Sequence, residues 1–446
     1  MDIRKKLILT IILLSYFITA IDGSIVITGV TKISADLHLS SSLLSWVQNA
    51  YVLAWGGFML LGGRLSDTFG CKLILNLALV LFGIGSLLAG IAWSASIIIT
   101  ARFIQGIGSA ILAPTSLALI MDYFEGEERI KAIAWYSSIS GLGLCFGLVF
   151  GGAITNFLSW RDGFLVNIPF IVFMLVISVR VLDKGKTKSE SFDLWGTLLS
   201  VIGIFTFVYA INGAQNVLAC LCVAFLALTA FVRVEAKANV PIMPLRLFHS
   251  DTRWKAYVAR ALFVGAMMGF NFTISEYMQE ACGFTPLSAG VGFLPVTVTT
   301  FIAAIKVPYL VGRYGNRRVL AAGLTLLFTG FLWLSMINTN SDYLTGIALP
   351  MIMLGTGNGL TLSPLTNLGI ENIEPEDSGS ASGLVNAAHQ IGGAVGLSTM
   401  VSMGTNYVDM NARCVVGMIV AAVFILLAFA ITFSRVHVVV KQSSTK

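Results

Sequence analysis

The chain has 446 residues, of which 56% are hydrophobic and only 11% charged, with a mean hydropathy of +0.86 and a net charge of +6. Soluble domains carry about 25% charged residues, so too few are present to cover a water-facing surface, and a soluble fold is excluded. The positive balance does not mark a nucleic-acid binder: the basic residues sit in short clusters between apolar runs, as in Arg4-Lys5-Lys6, Lys184-Lys186-Lys188 and Arg313-Arg317-Arg318.

The chain opens with a basic segment and the apolar run Leu7–Ala20, a signal-peptide pattern. The run continues past Asp22 to about Val30, long enough to span, and reads as an uncleaved first helix. Fourteen apolar stretches of about the spanning length follow one another, at roughly 7–30, 44–63, 73–93, 97–121, 131–154, 163–182, 194–212, 217–234, 255–280, 290–311, 319–337, 343–370, 380–405 and 413–434. With the N-terminus inside, roughly 23 of the 28 basic residues fall on the inner side, so both termini are expected in the cytoplasm.

The loops are too short for a catalytic domain. Gly185-Lys186-Thr187 imitates the end of a phosphate-binding loop, but Arg180 stands where its first glycine belongs, which argues against ATP-driven transport. The six cysteines are scattered, and no histidine lies near Cys220 and Cys222, so they read as small apolar filler and no metal site is expected.

Ionisable residues inside spans are the strongest physical signal, because each costs a few kcal/mol and usually marks a pathway. Asp22 lies ~12 Å and Arg102 ~8 Å from the outer ends of their helices at ~1.5 Å per residue, so the two could meet. A structural ion pair is one reading; a proton site tuned by Arg102 is the other. Glu276, in the ninth span, mirrors the place of Asp22 and is a second proton-site candidate, balanced against an exposed interfacial acid. Lys306 is within snorkelling reach of the interface, and His389 reads as a packed helix histidine. Trp46, Asn49, Trp135, Phe270, Asn271 and Asn358 are candidate cavity walls, where aromatics would suit lipophilic cations; most aromatics in such helices merely pack.

Between the second and third spans stands Gly63-Arg64-Leu65-Ser66-Asp67-Thr68-Phe69-Gly70-Cys71-Lys72. Its glycines, Gly63 and Gly70, permit a tight turn, Asp67 can accept from exposed helix-start amides, and Arg64 and Lys72 hold the loop at the inner face. The loop resembles the signature of the major facilitator superfamily, with Thr68 and Cys71 in place of that family's usual basic residues. A degraded echo, Gly312-Arg313-Tyr314-Gly315-Asn316-Arg317-Arg318, supports two parallel repeats.

The resemblance sharpens along the chain. Arg102-Phe103-Ile104-Gln105-Gly106-Ile107-Gly108 matches that family's fourth-helix motif, and Gly143, Gly147, Gly151 and Gly152 match its antiporter motif, although Leu148 replaces the motif's proline. A glycine row of this kind is more often a packing face than a functional one. Trp160-Arg161 with Phe164, Asn167 and Pro169 resembles the fourteen-span drug:proton antiporters, as do Phe231, Glu235, Pro241, Pro244, Leu247 and Phe248, then Tyr277-Met278-Gln279 and Ala381–Asn386.

The resemblance implies an all-α membrane protein of the major facilitator fold, with six-helix halves at 1–182 and 255–446 and two extra helices within 183–254. It implies a bacterial cytoplasmic-membrane antiporter, not an enzyme, that exports lipophilic and often cationic drugs in exchange for protons. A specific metabolite, lipid or peptide is the alternative cargo. No cofactor beyond the proton gradient, no nucleic acid and a monomer in the lipid bilayer are expected.

Overall fold

A computed structural model describes residues 2–183, 194–212, 214–238, 243, 245–338, 341–373 and 378–434; at 60, 63, 64, 67, 130, 134, 137–142, 144, 145, 194, 378–380 and 382 it describes the backbone only. The cluster Lys184-Lys186-Lys188 and the residues Pro241 and Pro244 lie outside the described residues, as do the side chains of Arg64, Asp67 and Ser382.

The apolar runs fold as helices because a backbone with no water to bond must satisfy its polar groups within each segment. In chain order these are α1 (Ile3–Thr28), α2 (Val30–Leu37), α3 (Ser41–Phe69), α4 (Cys71–Gly90), α5 (Ala95–Tyr123), α6 (Gly126–Phe157), α7 (Trp160–Leu165), α8 (Asn167–Val181) and α9 (Leu194–Ile211). Then come α10 (Val217–Glu235), α11 (Asp251–Glu280), α12 (Pro286–Gly292), α13 (Leu294–Tyr314), α14 (Asn316–Leu334), α15 (Leu349–Gly369), α16 (Ser378–Gly404) and α17 (Met410–Phe433). A short 3-10 turn, Leu245–His249, precedes α11. Among the described residues nine segments are long and apolar enough to cross a membrane: α1, α4, α5, α7–α8, α10, α11, α12–α13, α14 and α17. Five more helices, α3, α6, α9, α15 and α16, are 18 to 32 residues long.

Packing partners repeat along the chain. As α1 packs on α6, α3 and α4 on α5, and α4 on α8, so α11 packs on α16, α13 and α14 on α15, and α14 on α17. One apolar core is built mainly from α11–α17, and two others lie mainly among α1–α8. The helices α9 and α10 pack on each other, and α9 leans on both α3 and α16.

Two linkers show the repeat at atomic detail. Gly70 (φ 87°, ψ 142°) joins α3 to α4, and Gly315 (φ 84°, ψ 153°) joins α13 to α14. Such positive φ is open to glycine at no steric cost. Gly63, expected in the turn, instead lies inside α3, so Gly70 alone makes the corner. Lys72 then donates to the carbonyls of Val179 (2.8 Å) and Leu182 (2.6 Å), capping the end of α8 where a cation is favoured. Without a proline after Gly147, α6 runs unbroken for 32 residues.

Candidate functional site: a sealed charge network

The motif Arg102–Gly108 is first a packing device. A Cβ on Gly106 would sit 2.4 Å from the Tyr51 carbonyl oxygen of α3, and one on Gly108 would sit 2.8 Å from the Phe82 nitrogen of α4. On α4, Gly85 gives way in the same manner to Gln105. These absences let three helices approach closely, which is how small residues drive association where lipid offers no hydrophobic force. The approach carries the Tyr51 ring to 4.1 Å from the Arg102 guanidinium carbon, with the Phe164 ring at 5.6 Å. The Tyr51 hydroxyl is held by Ser109 at 2.8 Å.

In this pocket Arg102 Nη1 pairs with Asp22 Oδ2 of α1 and donates to Gln105 Oε1 at 2.9 Å, while its Nε donates to the Val47 carbonyl at 3.1 Å. The other oxygen, Asp22 Oδ1, accepts from Gln105 Nε2 at 2.9 Å and Asn167 Nδ2 at 3.1 Å. Ser86 Oγ ties the two amides together, at 2.9 and 3.2 Å. Asp22, Arg102, Gln105 and Ser86 are wholly buried and Asn167 nearly so. Six helices, α1, α3, α4, α5, α7 and α8, therefore close one charge pair off from the surroundings, with amides filling the remaining lone pairs as a buried pair requires. Among the described residues Arg102 Nη2 finds no hydrogen-bond partner.

Glu276 is elsewhere. It lies half-buried near the end of α11, and the structure does not bring it to Asp22. Its neighbour Ser275 donates to the Ile27 carbonyl at 2.6 Å, and Gln279 Oε1 accepts from Thr31 at 2.6 Å. These contacts join α11 to α1 and α2. The glycine row packs α6 on α1: a Cβ on Gly143 would sit 2.7 Å from Ala20, one on Gly147 2.5 Å from Ser24 and one on Gly151 3.2 Å from Ile25. Gly152 faces Pro286 of α12 instead, at 2.5 Å, and Gly290 of α12 faces the Leu148 carbonyl at 2.3 Å. Two notches thus lock α6 to α12. Asn49 of α3 donates to Ser398 of α16 at 2.7 Å, and Arg413 to Ser41 at 3.4 Å. All of these cross-contacts lie toward the end of the molecule opposite Arg4 and Lys72.

The expected cavity walls mostly pack. Phe270 is wholly buried and meets Phe293 and Phe331 edge-on, so it is core and not a wall. Trp46 stacks on Phe205 and approaches Tyr209, both of α9, rather than facing a central space. Asn358 bonds Thr300 at 3.3 Å, Trp135 is exposed, and Asn271 is half-buried.

Sequence reasoning passed over Arg260, counted with the inner basic residues although it lies inside α11. It is 6% exposed, donates to the Leu362 carbonyl (2.9 Å) and Thr366 (2.5 Å), and meets His389 Nδ1 at 3.3 Å. An arginine between two alanines in an apolar run was the available signal. Ser86 carried none: a lone serine in a membrane helix gives no hint of its partner.

Asp36 of α2, outside the spans, pairs with Arg161 at the start of α7 and accepts from Trp160 Nε1 at 3.1 Å through the same oxygen. The Arg161 hydrogen bond holds the Asp36 carboxyl below its ordinary 3.8.

Residues 12–397 match the family model of the Major Facilitator Superfamily. The chain is 33% identical over 402 residues to the cephamycin export protein CmcT of Amycolatopsis lactamdurans, covering 87% of this chain and 83% of that one. It is 32% identical over 420 residues to the puromycin resistance protein pur8 of Streptomyces alboniger, covering 91% and 82%. In three dimensions it is similar to the POT family transporter PepTSo, with a TM-score of 0.70 at 15% identity over 95% of this chain and 97% of that one. With nine apolar spans among the described residues, a repeated helix arrangement and a family match over most of its length, this chain is a multi-pass membrane transporter belonging to the Major Facilitator Superfamily.

Proposed function

We propose that the protein is a secondary exporter of lipophilic small molecules, often cationic, driven by protons moving inward. The observation that carries the coupling is the sealed Asp22–Arg102 network: a buried carboxylate held entirely by side chains of other helices can exchange a proton if those helices part. The relatives named for cephamycin export and puromycin resistance support the choice of cargo. In this reading α1–α8 and α11–α17 form two six-span halves, α9 and α10 are an inserted pair, and the chain crosses the membrane fourteen times. The end bearing Arg4 and Lys72 faces the cytoplasm.

The halves rock about a central space, giving alternating access. In this reading the α6–α12 notches, Thr31–Gln279 and Asn49–Ser398 form the outward seal. When that seal opens, α1 shifts against α6 and the Asp22–Arg102 contact is exchanged for a proton. Glu276, beside the seal on α11, serves as a second carrier.

Dye uptake into everted vesicles under an imposed pH gradient tests this. Wild type should respond to the gradient, and Asp22→Asn should abolish the response while leaving dye equilibration. Normal coupling in both Asp22→Asn and Glu276→Gln would refute the assigned carriers, and a wild type blind to the gradient would refute antiport. Export of one endogenous metabolite, lipid or peptide is the second reading, and a narrow competition profile in the same assay would select it.

A further inference from the structure

A cavity of about 390 Å³ lies away from the charge network, where the pair α9–α10 meets α3, α11 and α16. Its walls are almost entirely apolar. Thr197, Ser200 and Ile204 face it from α9, Val258 and Ala261 from α11, and Phe248 closes it at the 3-10 turn. Among the described residues its lining hydroxyls are those of Thr197, Ser200 and Tyr257; Ser200 donates to the Thr197 carbonyl at 2.8 Å and Tyr257 to the Gly369 carbonyl at 2.8 Å. Among the described residues no charged side chain lines it. Along α16 the lining runs from Leu384 to Gly396, so the space extends over ~18 Å of helix. Its floor is glycine: Gly56 and Gly57 of α3 and Gly392 and Gly396 of α16 present no side chain.

The end at the 3-10 turn is different in charge. Arg246 and His249 stand on the turn and Arg253 and Lys255 on the first turns of α11. Lys255 is paired with Asp251 at 2.5 Å, and Glu235 accepts from the Met243 amide at 2.9 Å. Arg253 is positioned by backbone carbonyls alone, through Nε to Leu247 at 3.1 Å and Nη1 to Asn372 at 3.2 Å and Glu371 at 3.4 Å, and it has no acidic partner among the described residues. A long apolar slot with a basic mouth matches one chemistry.

We propose that this cavity binds the alkyl chain of an anionic amphiphile, with its acidic head at Arg253 and the 3-10 turn. A charged or hydrogen-bonding drug would leave its polar groups unsatisfied against such walls. A linear chain leaves none. The occupant bridges α9 to the α3–α16 seam, so it sits against both halves at once. The site does not depend on the transport reading, because binding needs no translocation.

The test is photolabelling of the purified full chain with a diazirine-bearing palmitate probe, mapped by peptide mass spectrometry. Label should fall on the α9, α11 and α16 segments that line the cavity. Val258→Trp and Ser200→Trp, which fill it from opposite walls, should each reduce labelling about tenfold. Ile202→Trp, on the exposed face of α9, should label like wild type. Phosphatidylglycerol should compete and phosphatidylcholine should not. Monodisperse elution of each variant establishes that it has folded. A phospholipid retained one per chain in native mass spectrometry would make the occupant a resident lipid, and efflux of the probe from vesicles would make it cargo; either supports the site. Label spread over all lipid-facing helices, or unchanged in both filled variants, would overturn it.

Discussion

Arg102→Met isolates the energetics of the buried pair. The substitution leaves the Asp22 carboxylate wholly buried, with the amides of Gln105 and Asn167 still donating to Oδ1 and nothing to replace the guanidinium at Oδ2. Stranding one member of a buried pair costs about 3–5 kcal/mol, between two and four powers of ten in the unfolding equilibrium. Loss of the Tyr51 ring contact adds about 1 kcal/mol. Asp22→Asn combined with Arg102→Met removes both charges, and the oxygen of the introduced amide can still accept from Gln105 and Asn167. The double variant should therefore recover to within about 2 kcal/mol of wild type, giving a coupling energy of at least about 2 kcal/mol in a double-mutant cycle. Steric trapping in bicelles measures each stability, and vesicle transport on the same preparations measures function. Stability should return in the double variant while the response to a pH gradient does not. A cost below about 1 kcal/mol for Arg102→Met, or strictly additive variants, would refute the claim that the network is sealed and mutually dependent.

Other consequences are as direct. Gly290→Ala places a methyl 2.3 Å from the Leu148 carbonyl oxygen, so α12 must move off α6; spin labels at the two helix ends should show a longer, broader distance, and an unchanged distance would dismiss the notch as the seal. Lys72→Met removes the ammonium from the last carbonyls of α8 and should cost about 0.3–1 kcal/mol by the same unfolding assay, with Lys72→Arg retaining most of it. The Asp36–Arg161 contact has a depressed carboxyl, so its contribution is complete above about pH 4 and fades as pH falls through the lowered value. Asp36→Asn should therefore differ from wild type in melting temperature at neutral pH and converge with it in acid; a difference that persists in strong acid would exclude this cause.

Several features could be read from residue order because they depend on local chemistry. The helix at each apolar run, the corner at Gly70 with its copy at Gly315, and the rarity of an acid at Asp22 all fall in this class. Other readings fell short where the partner is remote in sequence. Gly63 carried the same turn signal as Gly70 but is part of α3, because a glycine in a membrane helix serves packing as readily as turning. Phe270 and Trp46 looked like cavity walls, yet an aromatic ring has no sequence mark that separates a lining position from a core position. Arg260 was hidden by its nearness to the basic end, which gave it an ordinary role before its burial was known.

By itself, the sequence determined that the chain lives in a bilayer, where its helices fall and that Asp22 and Arg102 are out of place in it, since the cost of an unsatisfied backbone or charge in hydrocarbon is local. Tertiary structure decided who meets whom. Asp22 joins Arg102 across 80 positions of chain and Asn167 across 145, and those meetings depend on how closely Gly85, Gly106 and Gly108 let separate helices approach. Close packing is a property of surfaces brought together in space, and no single segment encodes the complementary one.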